Sequence, residues 1–539
     1  MALGNALGGI FRAILERSNR AAKEAEAREH NEALLASPPP VHGSAGWPHP
    51  EEVLAAGFGS RNFTGLPSGR GLRLGSLLGA PDLTSPPAAL LDWEGEGHIL
   101  TVAPTRSGKA TTLIVPNLLS YRGSAIVLDP KGELFELTSR WRQSLGPVYR
   151  IALFDRQDRH EAGYPRDRFN PLAGVRSVGD ARALASLLLP PDAKAQAFFN
   201  KDAVSFLTAA ILYLLDVAPT KSQTISELRR MTSLPLQAFK AMLRRMQDSP
   251  IAEVRNGANV VTFKSADRGL PNLIDTLNAD LSLWTDPDVA YAVSGTDEEV
   301  DLNFESLKDK TATVYVTVPF DKLRPFAPFT KVLLRTALDA MVQNPRTPEI
   351  PVLFVLDEFL ALDDASDVVD AIRTHAGSGV RLWFILQDIG ALKNIYGDGG
   401  EAVFNTALKI WFGTNDHVTA ERLSKELGTA TVGQEKLSFT FNSSVSRGDP
   451  FQFPTQTHGT STQRHVDLHG RPLLMPDEIR KRMALVAGDG TRLAITQLGP
   501  FVGAPVRLMP FFRTPWCLER VGCTVQVVAS SDVARRSKA

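Results

Sequence analysis

The sequence holds only two cysteines, Cys517 and Cys523, in 539 residues. So sparse a set excludes a disulfide framework and suits a reducing compartment. It also leaves no Cys/His cluster at metal-binding spacing. No run approaches the ~18 apolar residues that a membrane-spanning helix requires. The longest, LTAAILYLL from Leu207 to Leu215, has the length of a core helix. Net charge is missing too, since 59 basic residues balance 59 acidic ones. No global positive field advertises a nucleic-acid partner, so any such contact must use a local basic patch or a pore lining. The opening stretch MALGNALGGIFRAILERSNR does not read as a secretory signal, because its apolar residues are interrupted and no charged leader precedes them.

Those apolar residues, Leu3, Leu7, Ile10, Phe11, Ile14 and Leu15, fall at helical spacing. The stripe suits a membrane surface or a partner, and equally a helix packed on its own protein. The chain is too long for one ordinary core, which predicts two or three structural units. Residues 1–41 read as an amphipathic helix and linker without a transmembrane span. Residues 42–96, rich in Gly and Pro, read as an irregular lead-in with a few strands. Strand and helix then alternate over 97–176, which predicts a parallel sheet covered by helices. Residues 177–290 read as an all-α insert. Strands return over 291–510, and 511–539 forms a C-terminal tail, small and basic at its end.

The stretch HILTVAPTRSGKATTLIVPNLL, His98 to Leu119, has the pattern strand, tight loop, helix. That arrangement gathers backbone N–H groups at a helix N-terminus, where phosphate binds. The loop runs Ala103, Pro104, Thr105, Arg106, Ser107, Gly108, Lys109, Ala110, Thr111. Compared with G-x-x-x-x-G-K-[ST], it has Ala103 for the first Gly and Ala110 for the hydroxyl residue. Lys109 would charge-pair with the β- and γ-phosphates, and Gly108 permits close backbone approach. Ala110 cannot ligate Mg²⁺; Thr111, one step further round the helix, is the substitute candidate.

Two further elements raise the nucleotide reading above that of an ordinary surface lysine. VLFVLDEF is an apolar strand ending in Asp357 and Glu358. Two acids there are costly unless they face a metal or a solvated cleft. In P-loop ATPases the first such acid holds Mg²⁺ through its water shell and the second activates the attacking water. RLWFILQD then ends in Gln387, which can reach the γ-phosphate or orient that water, at a strand–helix–strand spacing from Glu358.

At this point the chain resembles the TraG/VirD-type coupling proteins of type IV secretion and conjugation, within the FtsK/HerA-like P-loop motors. The resemblance is carried by HGSAGW, APTRSGKATTLIVPNLL, IVLDPKGEL, FNPL, VLFVLDEF, LQDIGALKNIYG, WFGTNDHVTAERLSKELG and RPLLMPDEI, in the family's order over roughly residues 42 to 500. It implies a RecA-like P-loop NTPase motor domain of α/β class with an inserted all-α domain. It also implies an ATP hydrolase using ATP and Mg²⁺, which drives DNA or DNA–protein translocation. The expected partners are DNA, single-stranded and carried with a relaxase, relaxosome or secreted protein substrates, and type IV secretion components or a membrane partner. A homo-hexamer is implied when active. Rival readings are an ATP-binding substrate receptor without processive pumping, and a DNA-processing motor unconnected with secretion.

Ring motors also need an arginine at a subunit boundary. Arg373 and Arg381, in AIRTHAGSGVRL, are the candidates, Arg373 first. Arg229, Arg230, Lys240, Arg244 and Arg245 in the insert could contact phosphates or simply form solvated helix faces. Family members usually carry N-terminal membrane spans, and none is expected here. The expected location is therefore cytoplasmic, with peripheral attachment at the inner membrane through the first helix or a partner.

Overall fold

The computed structural model describes residues 2–63, 65–154, 166–189, 197–264, 269–296, 301–446, 455–484 and 487–522. It divides into two compact units. The larger holds residues 48–419 and 482–539, the smaller 1–47 and 420–481.

The strands are β1 (Gly59–Ser60), β2 (Leu72–Leu77), β3 (Ala89–Trp93), β4 (Ile99–Val102), β5 (Ala125–Leu128), β6 (Val148–Ala152), β7 (Thr313–Thr317), β8 (Val352–Leu356), β9 (Val380–Leu386), β10 (Leu408–Phe412), β11 (Thr429–Ser446), β12 (Thr455–Pro472), β13 (Arg492–Leu498) and β14 (Phe501–Leu508). In the larger unit, twelve of them make one sheet in the order β1-β3-β2-β14-β13-β10-β4-β9-β8-β5-β7-β6. From β10 to β6 every pairing is parallel. From β10 outward through β13, β14, β2, β3 and β1 it is antiparallel. The sequences explain the division. ILTV, AIVL, VLFVL and VRLWFIL are apolar without alternation but for Thr101 and Arg381, as strands covered on both faces must be, and each is buried throughout. LRLGSL and ALLDW alternate buried with partly exposed residues, as antiparallel strands with one wet face do. The segment expected as an irregular lead-in with a few strands supplies three strands of the main sheet.

Parallel strands in register bring their carboxyl ends to one edge. Val102 lies opposite Leu386, Leu356 opposite Phe384, and Leu128 opposite Leu356. β13 runs the other way, with Ala494 opposite Phe412. Its first residue, Arg492, therefore reaches the same edge.

Between Val178 and Ala292 all the regular elements described are helices. Gly257 allows the helix Ala252–Lys264 to lie directly on Ala197–Val217, since a Cβ there would sit 2.3 Å from that of Ala209. Near the C-terminus, the helix Pro515–Val521 buries Cys517 in the core shared by the β4 and β13 side of the sheet. Cys523 and the basic end of the tail lie outside the described residues.

In the smaller unit, β11 and β12 form an antiparallel ribbon with 18 residues in each strand. The HGSAGW segment joins it: His42 N–H donates to Thr431 Oγ1 at 3.0 Å, and Ser44 bridges to Ala430. Residues Ala2–Ala36 are one helix, and its Asn31 amide donates to the Arg464 carbonyl at 2.9 Å. The side chains of Leu3, Leu7, Ile10, Phe11 and Ile14 lie outside the described residues, and Leu15 is exposed. Among the described residues no helix is long and apolar enough to cross a membrane.

Candidate nucleotide site

β4 delivers the loop to the carboxyl edge of the sheet. Ala103 is fully buried and its N–H donates to the Leu386 carbonyl at 2.8 Å. Its backbone is not left-handed, so nothing at this position demands glycine. The left-handed positions are Arg106, φ 61°, and Gly108, φ 83°. A non-glycine residue at φ 61° stores strain of the kind that clusters at binding loops.

The helix that follows begins with an irregularity. Ala110–Ile114 is wound as a π-turn before the α-helix Val115–Ser120. Val115 N–H bonds the Ala110 carbonyl, five residues back. Pro116 explains it: proline offers no N–H to a carbonyl four residues back and its ring crowds that turn, so the ladder widens just before it. Thr111 and Thr112 both donate their hydroxyls to the Gly108 carbonyl, at 3.0 and 2.9 Å. The Thr111 hydroxyl is thus tied to the loop's own backbone.

Lys109, Asp357, Glu358 and Gln387, distant in sequence, meet at this edge. Lys109 Nζ lies 2.7 Å from Asp357 Oδ1 and 3.0 Å from Glu358 Oε1. Gln387 donates its amide N–H to the other Glu358 oxygen. Glu358 itself is left-handed, φ 58°, which turns the chain sharply after β8 and sets the two acids side by side. All three charged side chains are mostly buried. Burial opposes the Lys109 charge, but the two carboxylates together outweigh it and hold the ammonium above the usual lysine range. Burial pushes the Asp357 carboxyl up against the pull of Lys109, and the Glu358 charge adds to that push. Carboxylates crowded around one lysine form the kind of hard-oxygen set that suits Mg²⁺.

Asp129, at the end of β5 in the IVLDPKGEL stretch, belongs to the same edge. It is 2% exposed, accepts from the Phe135 N–H at 2.8 Å, and its carboxyl is raised by burial to about 7. The sequence signal was available: like Asp357, it is an acid ending a buried apolar strand.

A cavity of about 470 Å³ opens beside the loop, lined by Pro104–Ser107, Gln387, Asp388, Asp416 and Arg492. Arg492 had no sequence signal, because only the antiparallel pairing of β13 brings it here.

The arginine candidates separate. Arg373 is exposed in the last turn of the helix Ser366–Thr374. It is not among the residues gathered around Lys109. Arg381 is corrected: it sits at the entry of β9, away from the carboxyl edge, 2% exposed, stacked over Trp93 and donating to the Gly95 carbonyl at 2.8 Å. It is a structural arginine. Of the basic residues in the insert, Arg230 pairs with Glu227 and Arg229 donates to Asn278, while Lys240, Arg244 and Arg245 are exposed.

With this geometry in place, comparison with known proteins is decisive for the family. The family model described as "Type IV secretory system Conjugative DNA transfer" matches residues 82–484. The chain belongs to this family. It is 28% identical over 452 residues to the protein VirD4 of Agrobacterium fabrum (strain C58), covering 81% of this chain and 62% of VirD4. It is 29% identical over 468 residues to the conjugal transfer protein TraG of Escherichia coli, covering 81% of this chain and 71% of TraG. It therefore spans about six-tenths of the VirD4 relative's length. Among solved structures, the conjugative coupling protein TrwBdeltaN70 with sulphate superimposes with a TM-score of 0.53 at 16% identity, over 76% of this chain and 85% of that one. TrwB in complex with the ATP analogue ADPNP gives 0.53 at 15% identity, over 77% and 85%. The fold of this family member is accordingly the TrwB-like RecA-type P-loop fold.

Proposed function

We propose that this family member is an ATP-driven motor that moves DNA, or DNA with an attached protein, as the coupling protein of conjugative transfer or type IV secretion. The observation carrying the reading is the meeting of Lys109 with Asp357, Glu358 and Gln387 at the carboxyl edge of a parallel sheet. Loop amides and Lys109 bind the β- and γ-phosphates. Asp357 would hold Mg²⁺, which would supply neutralising charge at the phosphates. Glu358 takes the proton of the attacking water, and Gln387 holds its carboxylate in orientation. Binding of the phosphates draws the Lys109 ammonium off the two carboxylates, which frees them for these roles. That TrwB structures hold ADPNP, and ADP with Mg²⁺, supports nucleotide and metal binding here.

The working form is a homo-hexamer, with exposed Arg373 reaching a neighbour's γ-phosphate. Its partners are single-stranded DNA carried with a relaxase, and the secretion apparatus or a membrane protein at the inner membrane. An ATPase assay with and without single-stranded DNA tests the reading. DNA-stimulated turnover that Glu358→Gln abolishes is expected. ATP binding without any turnover, with or without DNA, would replace the motor by a nucleotide-gated substrate receptor.

A further inference from the structure

Arg492 is a cation without an anion. Its Nε is sealed from solvent and has no hydrogen-bond partner, and among the described residues no carboxylate pairs with it. Burial lowers its affinity for the proton, and the carboxylates of Asp388 and Asp416, which line the same cavity, form no ion pair with it. Arg492 is half-buried, and its sealed, unpartnered N–H favours an acceptor that completes it. Its position says which anion. A Cβ on Gly108 would stand 3.1 Å from Arg492 Nε and 3.6 Å from its Cγ, so the side chain lies against the loop itself. Ser107, the neighbouring loop residue, has a buried hydroxyl that is also unpartnered. Both line the 470 Å³ cavity. Lys109 approaches from the β8 side of β4, whereas Arg492 comes from β13, on the opposite side.

We propose that Arg492 and Ser107 form a second phosphate subsite, which clamps the α–β end of the nucleotide's phosphate chain across the loop from Lys109. This rests on the nucleotide reading above. It assigns β13, a strand outside the motif set, a direct part in binding. The guanidinium adds a paired donor to the loop, because a planar fork binds phosphate oxygens in pairs.

The test uses the full chain and titrates ADP, pyrophosphate and adenosine against wild type, Arg492→Ala, Arg492→Lys and Lys109→Ala. In Arg492→Ala, ADP and pyrophosphate should bind about 10- to 100-fold more weakly, with adenosine unaffected. Arg492→Lys should recover part of the loss. The ligand-free Tm of Arg492→Ala should stay level or rise slightly, because a half-buried N–H without a partner has gone, while the ADP-induced rise in Tm shrinks. If the alanine variant does not fold, Arg492→Gln, which keeps most of the stem, is read in the same titrations. Wild-type ADP and pyrophosphate affinity in a folded Arg492 variant overturns the subsite. A wild-type chain that binds no ADP overturns the nucleotide reading instead.

Discussion

Lys109 and Asp357, 248 positions apart in the chain numbering, stand 2.7 Å from each other at the carboxyl edge of the sheet, and Glu358 shares the same ammonium. One lysine thus satisfies two mostly buried acids. Removing it leaves both uncompensated, which costs roughly 3–5 kcal/mol for a buried pair broken from one side. Proton uptake by Asp357, whose affinity burial already raises, offsets part of that. Lys109→Ala should therefore lower the Tm as well as abolish nucleotide binding. Adding Asp357→Asn should restore most of the Tm and none of the binding. Thermal melts and ADP titrations of both variants check this, and a double variant no more stable than the single one would refute the shared-ammonium account.

Glu358→Gln keeps the shape and the neighbouring amide of Gln387 while removing the proposed base. ATP binding should stay within about twofold of wild type and turnover should fall ~100-fold or more. Single-turnover hydrolysis separates the two effects. Turnover at the wild-type rate would transfer the base to another residue.

The loop's missing hydroxyl makes a prediction in two directions. The Thr111 hydroxyl is tied to the Gly108 carbonyl, and Thr112 makes the same bond. Thr111→Ala should leave the Mg²⁺ dependence of turnover unchanged. Ala110→Ser restores the position that the usual loop gives to the metal, and should lower the Mg²⁺ concentration for half-maximal turnover severalfold. A Thr111→Ala variant that needs much more Mg²⁺ would make Thr111 the ligand after all.

Asp129 predicts a pH effect on stability. Its carboxyl rises from an ordinary 3.8 to about 7, with burial the largest cause. The folded state therefore binds this proton more tightly than the unfolded chain does. Stability from this group is highest below about pH 4 and is lost progressively as pH climbs towards 7. Asp129→Asn removes that loss while keeping an acceptor for the Phe135 N–H. It should gain up to roughly 4 kcal/mol over wild type at pH 8 and nothing at pH 4. Urea unfolding at the two pH values measures the difference, and equal gains at both would show that the carboxyl is not held protonated.

His98 works in the opposite sense. It is 3% exposed, and burial lowers its ring to about 4, with Nδ1 accepting from the Leu382 N–H. A depressed histidine makes the folded state bind fewer protons, so stability falls as pH drops from about 6.5 to about 4. His98→Gln should flatten the acid limb of the stability profile between those values by roughly 3 kcal/mol at most.

Much of the candidate site could be read from local pattern. An apolar run that ends in an acid or an amide is a buried strand whose last residue must face something polar, and this singled out Asp357, Glu358 and Gln387. The loop between HILTVAP and its helix is equally local, because a turn and a helix start are set by neighbours in the chain. Antiparallel additions are not local. β1 and β2 carry weak, Gly-interrupted patterns and gain partners only at the sheet edge, so 42–96 read as irregular with a few strands, without their place in the main sheet. The long ribbon β11–β12 is mostly polar, has few apolar alternations to announce it, and went unforeseen. Arg381 looked like a candidate finger until the direction of β9 placed it at the wrong end of its strand. Arg492 could not be found at all, since its role depends on β13 running against β10. The sequence by itself determined which strands end in chemistry. The tertiary structure alone decided which of those ends, and which strand beginning, share one edge, because that follows from strand order and direction rather than from any residue's neighbours.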